Sequence, residues 1–201
     1  MKYIYILIFI FTINGLADDY ISIDLSENKR DLSNEIYSKL KKDHYLKNKD
    51  TANFNKKYIE AIIEKLDKNK NYFMQNEINN YIEQSKYNNG YDFDIELGYE
   101  LINLYFKKLI QFSRFQIKLI ENNEFDFSQD EYLDIFYEDN EWVKTYDELK
   151  ELWRLETKND LLIASTSDSS SSKPKDDLIK RYENRIRRIY QQKEEDIFSL
   201  A

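Results

Sequence analysis

This chain has no cysteine, one histidine, one proline and three glycines among its 201 residues. Without cysteine it has no disulfide, no thiolate metal ligand and no cysteine nucleophile. Its single histidine, His44, excludes a metal site with several histidine ligands, and we interpret it as a packing residue. Folds rich in β-hairpins need glycine and proline at their tight turns, so the scarcity of both argues against a sheet protein.

Apolar, aromatic and acidic residues are what the chain has in quantity. Hydrophobic residues make up 41% of it and aromatic residues 15%, with 17 tyrosines and 12 phenylalanines, which is enough to fill a core. Long helices joined by short polar loops need little glycine or proline, so we predict an all-α fold. The net charge of −8 argues against nucleic acid as a partner, because phosphates bind to positive surfaces.

Residues 1–17 have the pattern of a secretory signal peptide. Lys2 gives a positive start, residues 3–13 are almost all apolar, and the small residues Gly15 and Ala17 precede the expected cleavage site. The apolar run is too short for a membrane anchor, which needs roughly 20 residues. We therefore expect cleavage, secretion and a mature chain without a stable membrane span. An uncleaved N-terminal anchor is the alternative.

Beyond that segment, apolar residues recur every three or four positions, which is the spacing of helices that bury one face. We predict an irregular multi-helix bundle over residues 34–192, after an extended lead-in at 18–33. Its longest helix, about 92–122, has apolar residues on more than one face and is the predicted centre of the bundle. A flexible serine-rich loop is predicted at 165–174, and residues 193–201 are predicted to be the truncated start of a following segment.

Two further helix starts are predicted from capping boxes, in which a hydroxyl and a carboxylate three residues apart each accept a backbone N–H. One box pairs Ser128 with Glu131, and the other pairs Thr145 with Glu148. Each such cap stabilises a helix by about 1 kcal/mol. Apolar spacing alone predicts other helices at about 36–42, 52–66 and 176–192.

Two stretches imitate sites of known chemistry, and we assign neither of them a function. Residues 67–71 resemble the start of a calcium loop, but Tyr72 and Ile78 stand where such a loop needs Gly and Glu. Serines 169–172 lie beside Lys173, but a nucleophilic serine needs a rigid setting and an oxyanion hole, which a flexible serine run lacks. We therefore predict no catalytic, cofactor-binding or metal-binding residue, and no cofactor.

A cluster of cations lies in the last long predicted helix and alternates with apolar residues. Its members are Lys180, Arg181, Arg185, Arg187 and Arg188. Such a stripe is able to bind RNA or an anionic membrane. The negative net charge and the expected secretion favour the other interpretation, an amphipathic helix whose cations pair with acidic neighbours. Those neighbours are Asp176, Asp177, Glu183, Glu194 and Glu195.

Trp142 and Trp153 are the only tryptophans, and we interpret them as core or interdomain anchors, because a buried indole carries a large apolar area. A binding platform is the alternative function for this pair. Tyr182, Arg185 and Phe198 complete the set of candidate structural or interdomain anchors.

Several short motifs occur in a fixed order along the chain. They are His44-Tyr45, Leu66-Asp67, residues 71–75, residues 124–127, the segment with both tryptophans and the helix at 180–188. In this order and spacing the chain resembles the N-terminal helical domain of the tail-specific, or carboxyl-terminal processing, serine proteases of the bacterial periplasm. The resemblance covers most of the chain after residue 17, and its most specific part lies at 142–188.

The resemblance implies an all-helical domain that packs around a PDZ-like domain and a Ser/Lys protease domain, in the same chain or in trans. It also implies recruitment of substrate C-terminal tails or of a lipoprotein adaptor. Because the sequence stops at Ala201, before either domain would begin, we expect a non-catalytic N-terminal piece that is no enzyme by itself. The alternative is a free-standing secreted helical module that binds proteins without any protease. We expect Phe198, Leu200 and some apolar residues of the central helix to be exposed in the isolated chain, with self-association or poor solubility as the result.

Overall fold

A computed structural model describes residues 20–43, 54–87, 93–134, 141–166 and 173–201. Within these ranges the chain forms seven α-helices and no strand, which confirms the all-α prediction. The helices are α1 (Glu27–Asp43), α2 (Phe54–Asp67), α3 (Gln75–Gln84), α4 (Ile95–Glu121), α5 (Tyr146–Thr166), α6 (Pro174–Tyr190) and α7 (Glu194–Leu200). None of the described helices is both long and apolar enough to cross a membrane.

The long helix α4 is the centre of the fold, as predicted from its apolar residues. The Asp94 side chain caps α4 by accepting a hydrogen bond from the backbone N–H of Leu97 over 3.1 Å. Leu101 and Ile102 point in different directions because they are neighbours on a helix, and both are fully buried. Other helices therefore pack on more than one side of α4, and α2, α3, α5, α6 and α7 all contact it.

In the part of the chain that the structure describes, buried apolar side chains form three clusters, and each cluster includes residues of α4. The main cluster joins α2, α3, α4 and α7 around Phe73 and Leu101. The second surrounds Tyr182 between α4, α5 and α6. The third brings Phe112 of α4 against Trp153 of α5. One helix thus contributes to every part of this core.

The extended lead-in is shorter than predicted, because α1 begins at Glu27 and not after Ser33. Residues 20–26 belong to no helix or strand. The Ser26 hydroxyl accepts the backbone N–H of Lys29 over 3.4 Å, as at a helix N-cap. The first turns of α1 carry mostly polar side chains. The spacing of apolar residues therefore did not predict that these turns are helical.

The capping box at Ser128 does not start a helix, and this prediction is wrong. The surrounding described residues form turns and irregular structure. Ser128 donates its hydroxyl to Asp126 Oδ1 over 2.6 Å and its backbone N–H to the same oxygen over 2.8 Å. The Glu131 carboxylate forms ion pairs with Arg154 and Lys158 of α5. Both side chains of the box therefore have partners other than a helix N-terminus.

The capping box at Thr145 starts α5, as predicted. Thr145 donates its backbone N–H to Glu148 Oε2 over 3.1 Å, and Glu148 donates its own N–H to Thr145 Oγ1 over 3.2 Å. Helix α5 then continues to Thr166, and α6 begins with Pro174, which fits a first helical turn. Both ends of the loop predicted at 165–174 therefore belong to helices, and its middle lies outside the described residues.

Three predictions concern parts of the chain that the structure does not describe. They are the signal peptide at 1–17, the packing of His44 and the linker role of serines 169–172. These stay predictions.

Candidate functional site

The turn after α2 is built around one buried carboxylate, that of Asp67, which is 1% exposed. It accepts the backbone N–H groups of Asn71 at 2.7 Å, Tyr72 at 3.2 Å and Phe73 at 3.0 Å. The indole N–H of Trp142 donates to the same carboxylate at 3.0 Å. Asp67 therefore closes its own turn and attaches the segment that precedes α5 to it.

The environment of Asp67 explains why this turn is structural. Burial raises the pKa of the Asp67 carboxyl, and the hydrogen bonds that it accepts oppose that rise. Both carboxylate oxygens are engaged by N–H groups of the protein itself, so the stretch that imitates a calcium loop uses its first carboxylate to hold backbone. Lys70 adopts a left-handed backbone conformation with φ 58°, and its ammonium lies 5.3 Å from the centre of the Trp142 ring.

Trp153 reaches the same turn from α5. Its indole N–H donates to the carbonyl oxygen of Asn71 over 2.7 Å, and its ring stacks on Phe112 with ring centres 5.2 Å apart. Trp153 is 1% exposed, whereas Trp142 is half-buried. The structure thus places one candidate anchor in the core and the other at its edge, with both indoles bound to a single turn.

Tyr182 lies in the cluster between α4, α5 and α6 and is fully buried. Its hydroxyl donates to Asp160 Oδ2 over 2.6 Å, and Arg181 donates to the same oxygen over 3.0 Å. Burial and the Asp160 carboxylate raise the pKa of Tyr182 well above its ordinary value. The phenol is therefore a fixed hydrogen-bond donor that joins α6 to α5.

Arg185 extends from α6 towards α4 and is half-buried. Its Nη1 donates to Gln116 Oε1 over 3.2 Å and to Ser113 Oγ over 3.4 Å, and both of these side chains are buried. The guanidinium also lies over the rings of Tyr182 and Phe112, at 5.2 and 5.9 Å from their centres. Within the described part of the chain, uncharged groups alone hold this cation in position.

Phe198 of α7 is half-buried against the main cluster, and so is Leu200. The expectation that these two side chains are exposed in the isolated chain is therefore wrong. Phe198 also lines a groove of 290 Å³ between α1, α2 and α7, which we call the apolar groove. Ile36 and Leu40 of α1 border this groove and are 45% and 52% exposed.

The cations of α6 do not pair with the acidic neighbours predicted for them. Among the described residues, Arg181 has the only carboxylate partner of the cluster, and this partner is Asp160 of α5. Lys180 and Arg188 are exposed and have no carboxylate partner there. The predicted partners are used elsewhere, because Glu194, for example, accepts a backbone N–H just before α1 over 2.6 Å.

Asn103 of α4 holds the segment that precedes α1, and this role was not predicted from the sequence. Its Oδ1 accepts the Tyr20 hydroxyl at 2.8 Å and the Ile23 backbone N–H at 3.0 Å. Its Nδ2 donates to the carbonyl oxygen of Ile23 at 3.1 Å. One amide thus satisfies both backbone groups of Ile23, as a neighbouring strand would. A polar residue at the centre of an apolar helix was the one signal that pointed to it.

The buried polar groups described above connect helices through hydrogen bonds within the protein. In the ranges that the structure describes, no group of three or more histidine, aspartate or glutamate side chains is placed to hold a metal ion. The shifted pKa values of Asp67 and Tyr182 result from burial and from hydrogen bonds inside the protein. Such groups fix helices relative to one another and shape the grooves between them.

Comparison with known proteins agrees with the motifs that meet at the Asp67 turn. Residues 36–201 match the family model described as tail specific protease N-terminal domain. The chain is also 26% identical over 181 residues to the tail-specific protease of Haemophilus influenzae. That similarity covers 88% of this chain and 26% of the relative, so the chain spans about a quarter of the relative's length. With a family match over most of its residues, the chain belongs to the tail-specific protease N-terminal domain family.

Proposed function

We propose that this chain is the non-catalytic N-terminal helical domain of a periplasmic tail-specific serine endopeptidase. It supports the PDZ-like and protease domains of that enzyme and recruits a substrate or an adaptor. The chain alone cleaves no peptide bond. The family match over residues 36–201 is the observation that carries this proposal.

The packing around Asp67 supports a scaffolding role. The motifs on which the resemblance depends, residues 66–67, residues 71–75 and the two tryptophans, converge on one turn through N–H donors. A turn closed in this way holds α2, α3 and α5 in a fixed arrangement. A fixed arrangement is what a supporting domain must offer to the domains that pack on it.

The apolar groove supports contact with the rest of the enzyme. Ile36 and Leu40 lie four residues apart on α1, so they project from one face, and both are largely exposed. Phe198 and Ala201 form another wall of the same groove. Exposed apolar surface of this kind marks a protein–protein contact, and we assign it to the PDZ-like or protease domain.

A chimera tests the proposed function. The region of the Haemophilus influenzae protease that matches this chain is replaced by residues 20–201, so that α1 is complete. Cleavage of an unfolded reporter protein with an apolar C-terminus is then measured. We expect the chimera to cleave the reporter and the chain alone to leave it intact. A chimera that also carries Ile36→Glu and Leu40→Glu should keep its helical content and lose most of its activity.

Two outcomes would contradict the proposal. Cleavage by the isolated chain would mean that it contains a catalytic centre of its own. A folded but inactive chimera would favour the alternative, a free-standing secreted helical module that binds proteins without any protease.

A further inference from the structure

A second groove, of 600 Å³, lies between α4 and α6, and we call it the basic groove. Its apolar lining residues are Tyr105, Phe106, Leu109 and Ile189. Its charged lining residues are Lys180, Arg181, Arg185, Arg188 and Asp177. Four cations and one carboxylate leave a positive surface on a chain whose net charge is −8. This local excess of positive charge is opposite in sign to the net charge of the chain. It would complement a partner that carries carboxylates.

Arg185 is positioned to receive one of those carboxylates. Gln116 and Ser113, 1% and 0% exposed, hold its Nη1 from the α4 side. Its other donors, Nη2 and Nε, have no partner among the described residues. A half-buried guanidinium without a counter-charge is costly, and its planar fork matches a carboxylate through two parallel hydrogen bonds. A ligand carboxylate would therefore bind a guanidinium that Gln116 and Ser113 already hold in position.

Lys180 and Arg188 indicate how long the partner is. They lie eight positions apart on the groove face of α6, or about 12 Å along the helix axis. About four residues of an extended peptide span that distance. A single small anion would reach one of these cations, whereas a peptide with several acidic residues would reach both and also Arg185.

The apolar lining of the basic groove indicates which side chains lie between the acidic residues of the bound peptide. Tyr105 and Leu109 are half-buried side chains one helical turn apart, and each exposes part of its apolar surface in the groove. Apolar side chains of a bound segment would cover that surface. A lipid bilayer fits less well, because the site is a groove between helices and the negative net charge opposes an anionic membrane.

We propose that the basic groove binds an acidic peptide segment that carries apolar side chains and belongs to a separate protein. This inference rests on the recruiting role proposed above and names the chemistry of the recruited segment. Arg185 pairs with a central carboxylate of the segment, and Lys180 and Arg188 pair with carboxylates at its ends. The apolar side chains of the segment contact Tyr105 and Leu109.

The first experiment compares two peptides on the unmodified chain. One is a blocked, fluorescein-labelled peptide in which glutamates alternate with leucine and serine, and the other has glutamine at each glutamate position. Fluorescence anisotropy should show that the glutamate peptide binds at least about tenfold more tightly, a difference of about 1.4 kcal/mol. Equal binding of both peptides, or no binding of either, would overturn the proposal.

The second experiment separates the basic groove from net charge. Lys180→Glu combined with Arg188→Glu changes two exposed cations that line the groove. Lys175→Glu combined with Arg187→Glu makes the same charge change on exposed positions of α6 that do not line it. The groove variant should lose about tenfold in peptide affinity, and the control about twofold or less. Equal losses would overturn the proposal.

Two further measurements test whether a lipid membrane or a second copy of this chain occupies the basic groove instead. Vesicles of phosphatidylglycerol should bind the chain more weakly than the glutamate peptide does, and stronger vesicle binding would overturn the proposal. Sedimentation velocity should give the same oligomeric state for the unmodified chain and the groove variant. A change of state would mean that a second copy of this chain occupies the groove, which would also overturn it. Because no protease is present in these assays, their failure is distinct from failure of the chimera.

Discussion

Two buried tyrosine hydroxyls show how single polar atoms affect the stability of this chain. The Tyr182 hydroxyl donates to Asp160 over 2.6 Å, whereas the buried Tyr58 hydroxyl has no hydrogen-bond partner among the described residues. Tyr58 also packs so closely on Gly98 that a Cβ there would collide with it. A buried hydroxyl with a partner contributes stability, and one without a partner costs free energy.

The same substitution at these two positions should therefore have opposite effects. We expect Tyr58→Phe to raise the free energy of unfolding by about 1 kcal/mol and Tyr182→Phe to lower it by about 1 kcal/mol or more. Urea denaturation followed by circular dichroism measures both values, and the slope of the transition should not change. Two changes of the same sign would contradict this account.

Loss of the Asp67 carboxylate should affect several hydrogen bonds at once. In Asp67→Asn, one carboxylate oxygen is replaced by an amide NH₂ group. This group would face N–H donors and cannot accept hydrogen bonds from them. We expect a loss of about 3 kcal/mol in the free energy of unfolding. Asp31→Asn is the control, because Asp31 is exposed on α1. A loss below that of the control would mean that the turn does not depend on the carboxylate.

At the scale of helices, the sequence predicted those elements whose stability comes from local or periodic features. The spacing of apolar residues placed α2, α4 and α6, and the box at Thr145 placed the start of α5. The polar first turns of α1 carry no such spacing, and they depend on a cap at Ser26. The box at Ser128 failed because its carboxylate pairs with α5, a long-range contact that no local pattern contains. The hydrogen bonds of Asn103 to the segment before α1 are also long-range contacts, so they were not predicted either.

The two capping boxes offer a matched comparison. Thr145→Ala removes an acceptor at the start of α5 and should lower the free energy of unfolding by about 1 kcal/mol. Ser128→Ala removes a hydroxyl from an exposed turn and should change it by less than about 0.5 kcal/mol. Chemical denaturation of both variants checks the difference. Equal losses would indicate that Ser128 also caps a helix.

The Thr145 box should also make the start of α5 sensitive to pH. Hydrogen bonds from the backbone N–H groups of Lys144 and Thr145 hold the pKa of Glu148 below its ordinary value. Because the folded pKa is the lower one, the contribution of Glu148 is present above the unfolded pKa. It is lost as the pH falls through the folded pKa. NMR titration of the Glu148 carboxyl should give a pKa below the ordinary value, and a raised one would refute this assignment.

At the scale of the whole molecule, one helix connects the core to both grooves. Helix α4 contributes to all three apolar clusters and supplies most of the apolar lining of the basic groove. A single cooperative unfolding transition is therefore expected for the described domain. The sequence predicted the helical bundle, but the grooves depend on which helices pack side by side, and neither apolar spacing nor charge clusters determine that.

The apolar groove should make the isolated chain self-associate. Ile36→Lys combined with Leu40→Lys removes two exposed apolar side chains from its border and should shift the chain towards monomer at high concentration. Leu162→Lys combined with Ile163→Lys makes the same charge change at exposed positions of α5 that do not line this groove. Sedimentation velocity should show little effect of this control. A monomeric unmodified chain would contradict the prediction.

The hydrogen bond between Ser26 and Glu194 joins opposite ends of the domain. The backbone N–H of Ser26 donates to Glu194 Oε1 over 2.6 Å, and Asn103 holds the residues just before Ser26. The segment before α1 is therefore attached to the final helix. A variant shortened to begin at Ser26 would lose the contacts of Tyr20 and Ile23 with Asn103, and α7, some 170 positions away, would be held less firmly. The residues that precede α1 thus contribute to the stability of the last helix of the domain.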